Sequence, residues 1–233
     1  MSAKQARPRS AAPLRLTLRA LAHLLGYPDA ECRAHLGELR DALHSERALT
    51  FGRLAELDRL VDRLAGLPGL AAEAEYVEVF DRGRRTALHL FEHVHADSRD
   101  RGPAMIDLLQ TYEAAGLELS GGELPDYLPA LLEYASTQPA ASARALLREV
   151  AHLLQAIFSG LAERQSAYAA VLGALLDLAG ETAVPVALAD EPALDQAWEE
   201  PAAFGGCGNA GAAAPVQTVR VVRRPPSPAA EPR

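Results

Sequence analysis

The residues best suited to chemistry are three imidazoles and a carboxylate between positions 89 and 95. His89, Glu92, His93 and His95 lie close together there. If the segment is helical, His89 and His93 are one turn apart and could bind one metal ion, with Glu92 as a carboxylate ligand. The H-E-x-x-H order of a helical zinc site is absent, and no further ligand is evident. The spacing alone leaves three interpretations open: an interaction surface, histidines that cap helices or pack, and a metal site.

Arginines flank this cluster on both sides, and aspartates alternate with them. The residues are Arg82, Arg84, Arg85, Arg99 and Arg101, with Asp81, Asp97 and Asp100. Guanidinium groups bind carboxylates and phosphates through paired hydrogen bonds, so an anion site for a phosphate or a partner carboxylate is one interpretation. The dense alternation of sign also predicts ion pairs within the segment.

Two further motifs lack the structural context that their chemistry needs. Residues 206–211 (GCGNAG) match G-x-G-x-x-G, but a Pro- and Ala-rich stretch surrounds them, whereas dinucleotide binding requires a strand before and a helix after. We interpret them as a linker. Ser98 follows the histidines without a G-x-S-x-G elbow, so no nucleophile and base pair is evident. We expect no enzymatic activity and no resident cofactor, and a hydrolase remains only an alternative reading of His89, His93 and His95.

Composition favours a helical protein with a protein partner. The chain has 233 residues, 49% of them hydrophobic, and a net charge of −8. Four bases and no acid lie in the first fifteen residues, so the remainder is strongly acidic. Nucleic-acid binding needs basic surfaces, so we expect no nucleic-acid partner. Cys32 and Cys207 have neither metal nor disulfide spacing. With no apolar run near 20 residues and no signal peptide, the sequence predicts a cytoplasmic protein that is not inserted in a membrane.

Apolar residues recur with the 3.6-residue period of helices from residue 14 to residue 180. We predict about eight helices, near 14–25, 30–44, 51–65, 69–81, 103–115, 125–135, 140–163 and 165–179. The fourth helix should bury Leu70, Ala74, Val77 and Phe80. Between the fourth and fifth helices we expect a loop with one helical turn near 86–93. The fold class is therefore all-α, a single helical bundle.

The two ends of the chain lack this period. Residues 1–13 are polar and basic, which predicts a flexible arm. Residues 181–233 contain 8 of the 16 prolines and no helical periodicity, which predicts a mostly disordered tail rich in Pro, Ala and Gly. The helical domain is therefore expected at 14–180.

Several segments resemble the nitrate reductase molybdenum cofactor assembly chaperones, the NarJ subfamily of the TorD-like redox-enzyme chaperones. The densest are 75–82 (EYVEVFDR), 85–102 (RTALHLFEHVHADSRDRG) and 123–129 (ELPDYLP). The same dense stretch, 75–134, also contains matches at Ala104-Met105, Tyr112, Gly116-Leu117 and Leu132-Glu133-Tyr134. Outside it the opening 24–28 (LLGYP) and Trp198 to Pro201 with Phe204-Gly205 match as well, so the resemblance spans most of 14–206. The resemblance implies a TorD-like helical bundle.

The resemblance also implies a function. Such chaperones hold the apo catalytic (alpha) subunit of nitrate reductase in the cytoplasm. They keep it open for insertion of the molybdenum cofactor and delay its docking to the membrane partner. Recognition of the client's N-terminal segment as a helix in a groove would suit this role.

Client binding is expected in the 81–101 loop and the 123–129 turn, because their polar, charged and Pro residues fit no core pattern. The predicted partner-binding residues are Tyr76, Phe80, Asp81, Arg85, His89, Glu92, His93, Asp97, Arg99, Asp100, Arg101, Glu123, Pro125, Asp126 and Tyr127. The two segments lie at opposite ends of the fifth helix. For both to line one groove, the loop must fold back along that helix.

Overall fold

The architecture is helical throughout the part of the chain that the computed structural model describes, residues 12–94, 100–119 and 122–186. Its helices are α1 (Arg15–Leu25), α2 (Ala30–Ala34), α3 (Leu36–Ser45), α4 (Phe51–Gly66), α5 (Gly69–Phe80), α6 (Leu90–Val94), α7 (Arg101–Ala114), α8 (Leu128–Thr137), α9 (Ala140–Glu149), α10 (Ala151–Glu163) and α11 (Ala169–Ala179), with a 3-10 helix at Arg84–Thr86 between α5 and α6. No strand occurs in these ranges, which confirms the all-α prediction.

The core is built around α11, the most apolar of these helices. Eight of its eleven residues are buried, and α4, α9 and α10 pack against it. Gly180 ends α11 with φ of +87°, a left-handed conformation that glycine adopts without a Cβ penalty. Arg53 of α4 donates to Asp177 of α11 at 3.0 Å, so an ion pair reinforces the apolar contact.

The first helix packs against both α3 and α8. Its N-terminus is capped from a distance by Glu46, whose carboxylate accepts hydrogen bonds from the Leu16 and Thr17 amides at 3.1 and 2.8 Å. A carboxylate there pairs otherwise free amide groups and opposes the positive end of the helix dipole. The cap therefore positions α1, which forms one wall of the cleft described below.

Two helices that the periodicity predicted as continuous are each divided, and this raises the number of helices above eight. The 30–44 segment breaks at His35, whose ring donates through Nδ1 to the Glu31 carbonyl at 2.8 Å. The 140–163 segment bends by 66° at Val150, which ends α9 and begins α10. Both α9 and α10 pack on α11. The bend therefore lets two consecutive parts of one apolar stretch contact the same helix.

The buried face of α5 differs from the predicted one. Leu70 is 81% exposed and Ala74 is also exposed, so the expectation that they face the core was wrong. The face that packs consists of Ala72, Tyr76, Val79 and Phe80. The simple leucine pattern failed because the large aromatic rings, not Leu70, fill the space next to α11.

Helix α7, which follows the histidine cluster, is the least buried of the longer helices described. Tyr112 is its one buried residue, while Met105, Leu108 and Leu109 are half-buried and Ile106 is 57% exposed. The apolar face of α7 is therefore only partly covered.

None of the helices in the described ranges has by itself the length and apolarity needed to cross a membrane. The bent pair α9 and α10 meets those criteria only when both helices are counted together.

The predictions for 1–13 and 181–233 fall largely outside the described residues. Of the tail, residues 181–186 are described, and the Val186 amide donates to Ser159 Oγ of α10 at 3.1 Å. The G-x-G-x-x-G motif at 206–211 also lies outside them.

Candidate functional site

The two segments predicted to bind a client lie side by side. The Leu90 amide donates to the Asp126 carbonyl at 3.0 Å, and the Leu128 amide donates to the Leu88 carbonyl at 2.9 Å. His89 and Tyr127 thereby face each other in an isolated antiparallel bridge. The juxtaposition comes from this direct pairing of 88–90 with 126–128.

A buried carboxylate holds the two segments together. Asp126 is fully buried, with 0% exposure, and its Oδ2 accepts a hydrogen bond from the Phe91 amide at 3.0 Å. His89 donates through Nδ1 to Asp126 Oδ1 at 3.3 Å. The hydrogen bond to Asp126 raises the pKa of His89, while burial of the ring and the nearby Arg101 act in the opposite direction. Asp126, predicted as a client contact, is therefore an internal acceptor that fixes the local backbone.

Replacing Asp126 by alanine is expected to lower the free energy of unfolding by about 1–3 kcal/mol, because it removes a buried acceptor that pairs with the Phe91 amide and the His89 ring. Urea unfolding of the variant and the wild type measures the difference. The matched control is Asp107→Ala, because Asp107 is exposed on α7. Equal losses in both variants would contradict a structural role for Asp126.

The same contact predicts a pH dependence with a defined sign. Since the folded protein raises the pKa of His89, the ion pair stabilises the fold fully below the unfolded-state pKa of about 6.5, and this contribution is lost as the pH rises through the folded pKa. In Asp126→Asn, which keeps the size and one acceptor oxygen, the loss of stability should be greater at acidic than at alkaline pH. An NMR titration should show a lower His89 pKa in this variant.

An aromatic cluster supports the paired segments from beneath. Tyr76 donates its hydroxyl proton to the Leu25 carbonyl at 2.8 Å, so the Tyr127 hydroxyl donates to Tyr76 across 3.2 Å. Burial raises the pKa of Tyr76, which keeps this hydroxyl protonated. The Phe80 ring lies 4.7 Å from that of Tyr76 and 5.0 Å from that of Tyr168. Tyr76 and Phe80 are buried, so these predicted contact residues connect α5 to the end of α1 and to α11.

The arginines before the histidine cluster pair with glutamates from helices. Arg82 pairs with Glu78 of α5 at 2.9 Å, and Arg85 pairs with Glu163 of α10 at 3.0 Å. The backbone of Arg85 also lies close to Gly160 of α10, where a Cβ would be only 3.0 Å from the Arg85 carbonyl oxygen. This segment is therefore anchored on α10 by an ion pair and by close packing.

The histidines point to different partners. His93 donates through Nε2 to the Ala87 carbonyl at 2.9 Å, whereas His89 contacts Asp126. Within the described ranges, no group of three or more His, Cys, Asp or Glu side chains is placed to bind a metal ion. His95, Asp97 and Arg99 lie outside those ranges. The metal-binding alternative thus gains no support from the arrangement of His89, Glu92 and His93.

A cleft of about 560 Å³ lies between α1, α8 and the segment that precedes α8. Of the predicted site residues, Glu123 and Tyr127 line it. Tyr127 also stacks at 5.2 Å from the His89 ring, so the pairing around Asp126 positions a residue of the cleft wall. Its volume falls within the range typical of ligand sites.

Most of the residues that line this cleft were not among those predicted from the sequence. Its other polar and aromatic lining residues include Arg15, Arg19, His23, Tyr27, Glu118, Glu133 and Tyr134. A second cleft of about 430 Å³ shares His23, Gly26 and Tyr27 with the first and continues toward α2 and α3. The missed signal was the regular spacing of Arg15, Arg19 and His23 along the polar face of α1.

The remaining predicted residues are spread around this region. Asp81 and Asp100 are exposed, Arg101, Glu92 and His93 are half-buried, and Pro125 is buried, with its carbonyl accepting from the Tyr112 hydroxyl at 2.8 Å. Four predicted contacts, Tyr76, Phe80, Pro125 and Asp126, are thus internal.

Comparison with known proteins places the chain in a family. The profile described as nitrate reductase delta subunit matches residues 26–173. The nitrate reductase molybdenum cofactor assembly chaperone NarJ of Escherichia coli is 40% identical over 203 residues, which cover 81% of this chain and 86% of that protein.

Two further relatives extend the comparison. The probable nitrate reductase molybdenum cofactor assembly chaperone NarW of Escherichia coli is 41% identical over 196 residues, covering 78% of this chain and 80% of that protein. The probable chaperone NarJ of Bacillus subtilis is 32% identical over 164 residues, covering 69% and 86% respectively. Since the profile covers more than half of the chain and these relatives are matched over most of their length, the chain belongs to the nitrate reductase delta subunit family.

Proposed function

We propose that this protein is a system-specific assembly chaperone of a respiratory nitrate reductase. It binds the apo catalytic subunit in the cytoplasm and keeps it competent for insertion of the molybdenum cofactor before that subunit docks at the membrane. The observation that carries the proposal is the 40% identity to Escherichia coli NarJ over 86% of that protein. Its relatives are named as chaperones, and we expect no catalysis by this chain.

The cleft between α1 and α8 is the natural place for the N-terminal segment of the client. It combines aromatic and charged side chains, the kinds of group that contact the faces of an amphipathic helix. The pairing of segments 88–90 and 126–128 holds Tyr127, a residue of the cleft wall, in position. In this proposal His89, Asp126, Tyr76 and Phe80 act by holding the wall in position, while Glu123 and Tyr127 contact the client.

Co-purification from cells that express both proteins tests the function directly. We expect the nitrate reductase catalytic subunit to be recovered with the tagged chain, and more of it when cofactor synthesis is blocked and the apo form accumulates. Recovery of no catalytic subunit under either condition would contradict the proposal.

Charge reversal of Glu123 should weaken client binding without loss of fold, because Glu123 is exposed and lines the cleft. Calorimetry with the client's N-terminal peptide is expected to show a loss of about 2–5 kcal/mol in Glu123→Lys if the residue is at the centre of the contact, and mainly a slower association if it is at the rim. Arg101→Glu tests the α7 side of the predicted site in the same way.

The control for Glu123→Lys is Glu149→Lys, and the control for Arg101→Glu is Arg148→Glu. Each makes the same change in net charge as its variant at an exposed position on α9 that does not line the cleft. Circular dichroism of each variant checks the fold. Unchanged affinity and association rate in Glu123→Lys and Arg101→Glu would place the client elsewhere.

A further inference from the structure

Positive and negative groups in the cleft come from different elements. The basic groups Arg15, Arg19 and His23 all belong to α1, where a spacing of four residues places them on one face. The acidic groups Glu118, Glu123 and Glu133 belong to α8 and the segment before it. One side of the cleft is therefore basic and the other is acidic.

These charges are available to a partner. In the part of the chain that the structure describes, neither Arg15 nor Arg19 has a carboxylate within 4.0 Å, although Arg40, Arg53 and Arg63 do. Both arginines are exposed, as are Glu118, Glu123 and Glu133. An ion pair with an incoming segment would therefore not have to break one inside the protein.

The cleft is also lined by aromatic rings. Tyr127 and Tyr134 come from the α8 side, and Tyr27, which is 47% exposed, closes the end of α1. Such rings offer contact area to apolar side chains at little entropic cost. Beyond Tyr27, the second cleft carries Asp29, Glu31 and Glu38 and neither Lys nor Arg.

From this arrangement, and resting on the proposed function, we infer that the client segment is an amphipathic helix with acidic residues on one flank and basic residues on the other. Its apolar face contacts the tyrosines, its acidic flank faces Arg15 and Arg19, and its basic flank faces Glu123 and Glu133. A helix turned end for end would place like charges together on both sides. The two charged sides thus set the direction in which the client binds.

Three synthetic helical peptides of about 18 residues, or five turns, test the inference on the full-length chain. All share one Leu and Ala face; one has Glu and Lys on opposite flanks, one has Lys on both, and one has Glu on both. At low salt, fluorescence anisotropy should show the mixed peptide binding about tenfold more tightly than the others, the effect of several partly exposed ion pairs acting together. The preference should decrease with added salt.

Variants of α1 make the test specific. In Arg15→Glu/Arg19→Glu both sides of the cleft are acidic, so the all-Lys peptide should become the tightest binder. In Arg15→Gln/Arg19→Gln, which avoids a new carboxylate near Glu46, the mixed peptide should lose its advantage over the all-Lys peptide. The control Arg59→Glu/Arg148→Glu changes two exposed arginines outside the cleft and should keep the wild-type order.

Equal affinity for the three peptides, no binding of any of them, or the wild-type order in both α1 variants would overturn the inference. Co-purification of the catalytic subunit with the wild-type chain reports separately on the proposed function. If the subunit is recovered but the expected order of peptide affinities is absent, the proposed chaperone function is supported and the inferred charge pattern of the client helix is wrong. If the peptide order is present and no subunit is recovered, the cleft binds such helices but the client is a different protein.

Discussion

The Phe80→Ala variant is expected to lose about 3–5 kcal/mol of unfolding free energy, the usual cost of removing a buried aromatic ring. Phe80 is 5% exposed and lies between Tyr76 and Tyr168, which join α5 to the start of α11. Without the ring, the cavity would lie directly beneath Tyr76, whose hydroxyl binds both the end of α1 and Tyr127. Client binding should therefore weaken together with stability.

Urea unfolding followed by circular dichroism measures the effect on stability. The matched control is Phe51→Ala, since Phe51 is 86% exposed at the start of α4. This substitution removes the same atoms from a solvated site. A loss in Phe80→Ala no larger than that in Phe51→Ala would show that the aromatic cluster does not support the fold.

Leu57→Ala should destabilise the protein by roughly 2–5 kcal/mol, because it removes a fully buried side chain from α4, a helix that packs against α3 and α11. The Arg53–Asp177 ion pair restrains α4 against α11 at the same interface, so the helices are not free to close the cavity. This restraint favours the upper part of the range.

Leu70→Ala is the control for this second substitution. Leu70 is 81% exposed on α5, and its truncation should change the unfolding free energy by less than about 0.5 kcal/mol. Similar losses for Leu57 and Leu70 would mean that the packing described for α4 and α5 is incorrect. The pair also separates two leucines that the sequence pattern alone assigned to the same kind of position.

The contacts explain why the predicted client site is partly structural. Asp126 is a charged residue in a segment without helical periodicity, and Tyr76 carries a polar hydroxyl group. Both features suggest an exposed side chain. In the fold, each makes buried hydrogen bonds that bring separate segments together. Buried polar groups require such partners, and a sequence does not show which distant amide or carbonyl will supply them.

The amino-acid sequence by itself determined the helical class and the approximate limits of α1, α4, α5, α7 and α11. Those features depend on local propensity and on the spacing of apolar residues, which the chain displays directly. It also identified 81–101 and 123–129 as unusual segments, and Glu123 and Tyr127 within them line the cleft.

Only the tertiary structure decided how those segments meet and where the cleft lies. The pairing of His89 with Tyr127, the bend at Val150 and the opposed charges of α1 and α8 all depend on contacts between residues far apart in the chain. Arg15, Arg19 and His23 look like the ordinary solvated face of an amphipathic helix until α8 is packed beside them. Helix packing is what turns that face into one side of a cleft, since the energy that places α1 against α8 comes from buried apolar surface and not from the charged residues themselves.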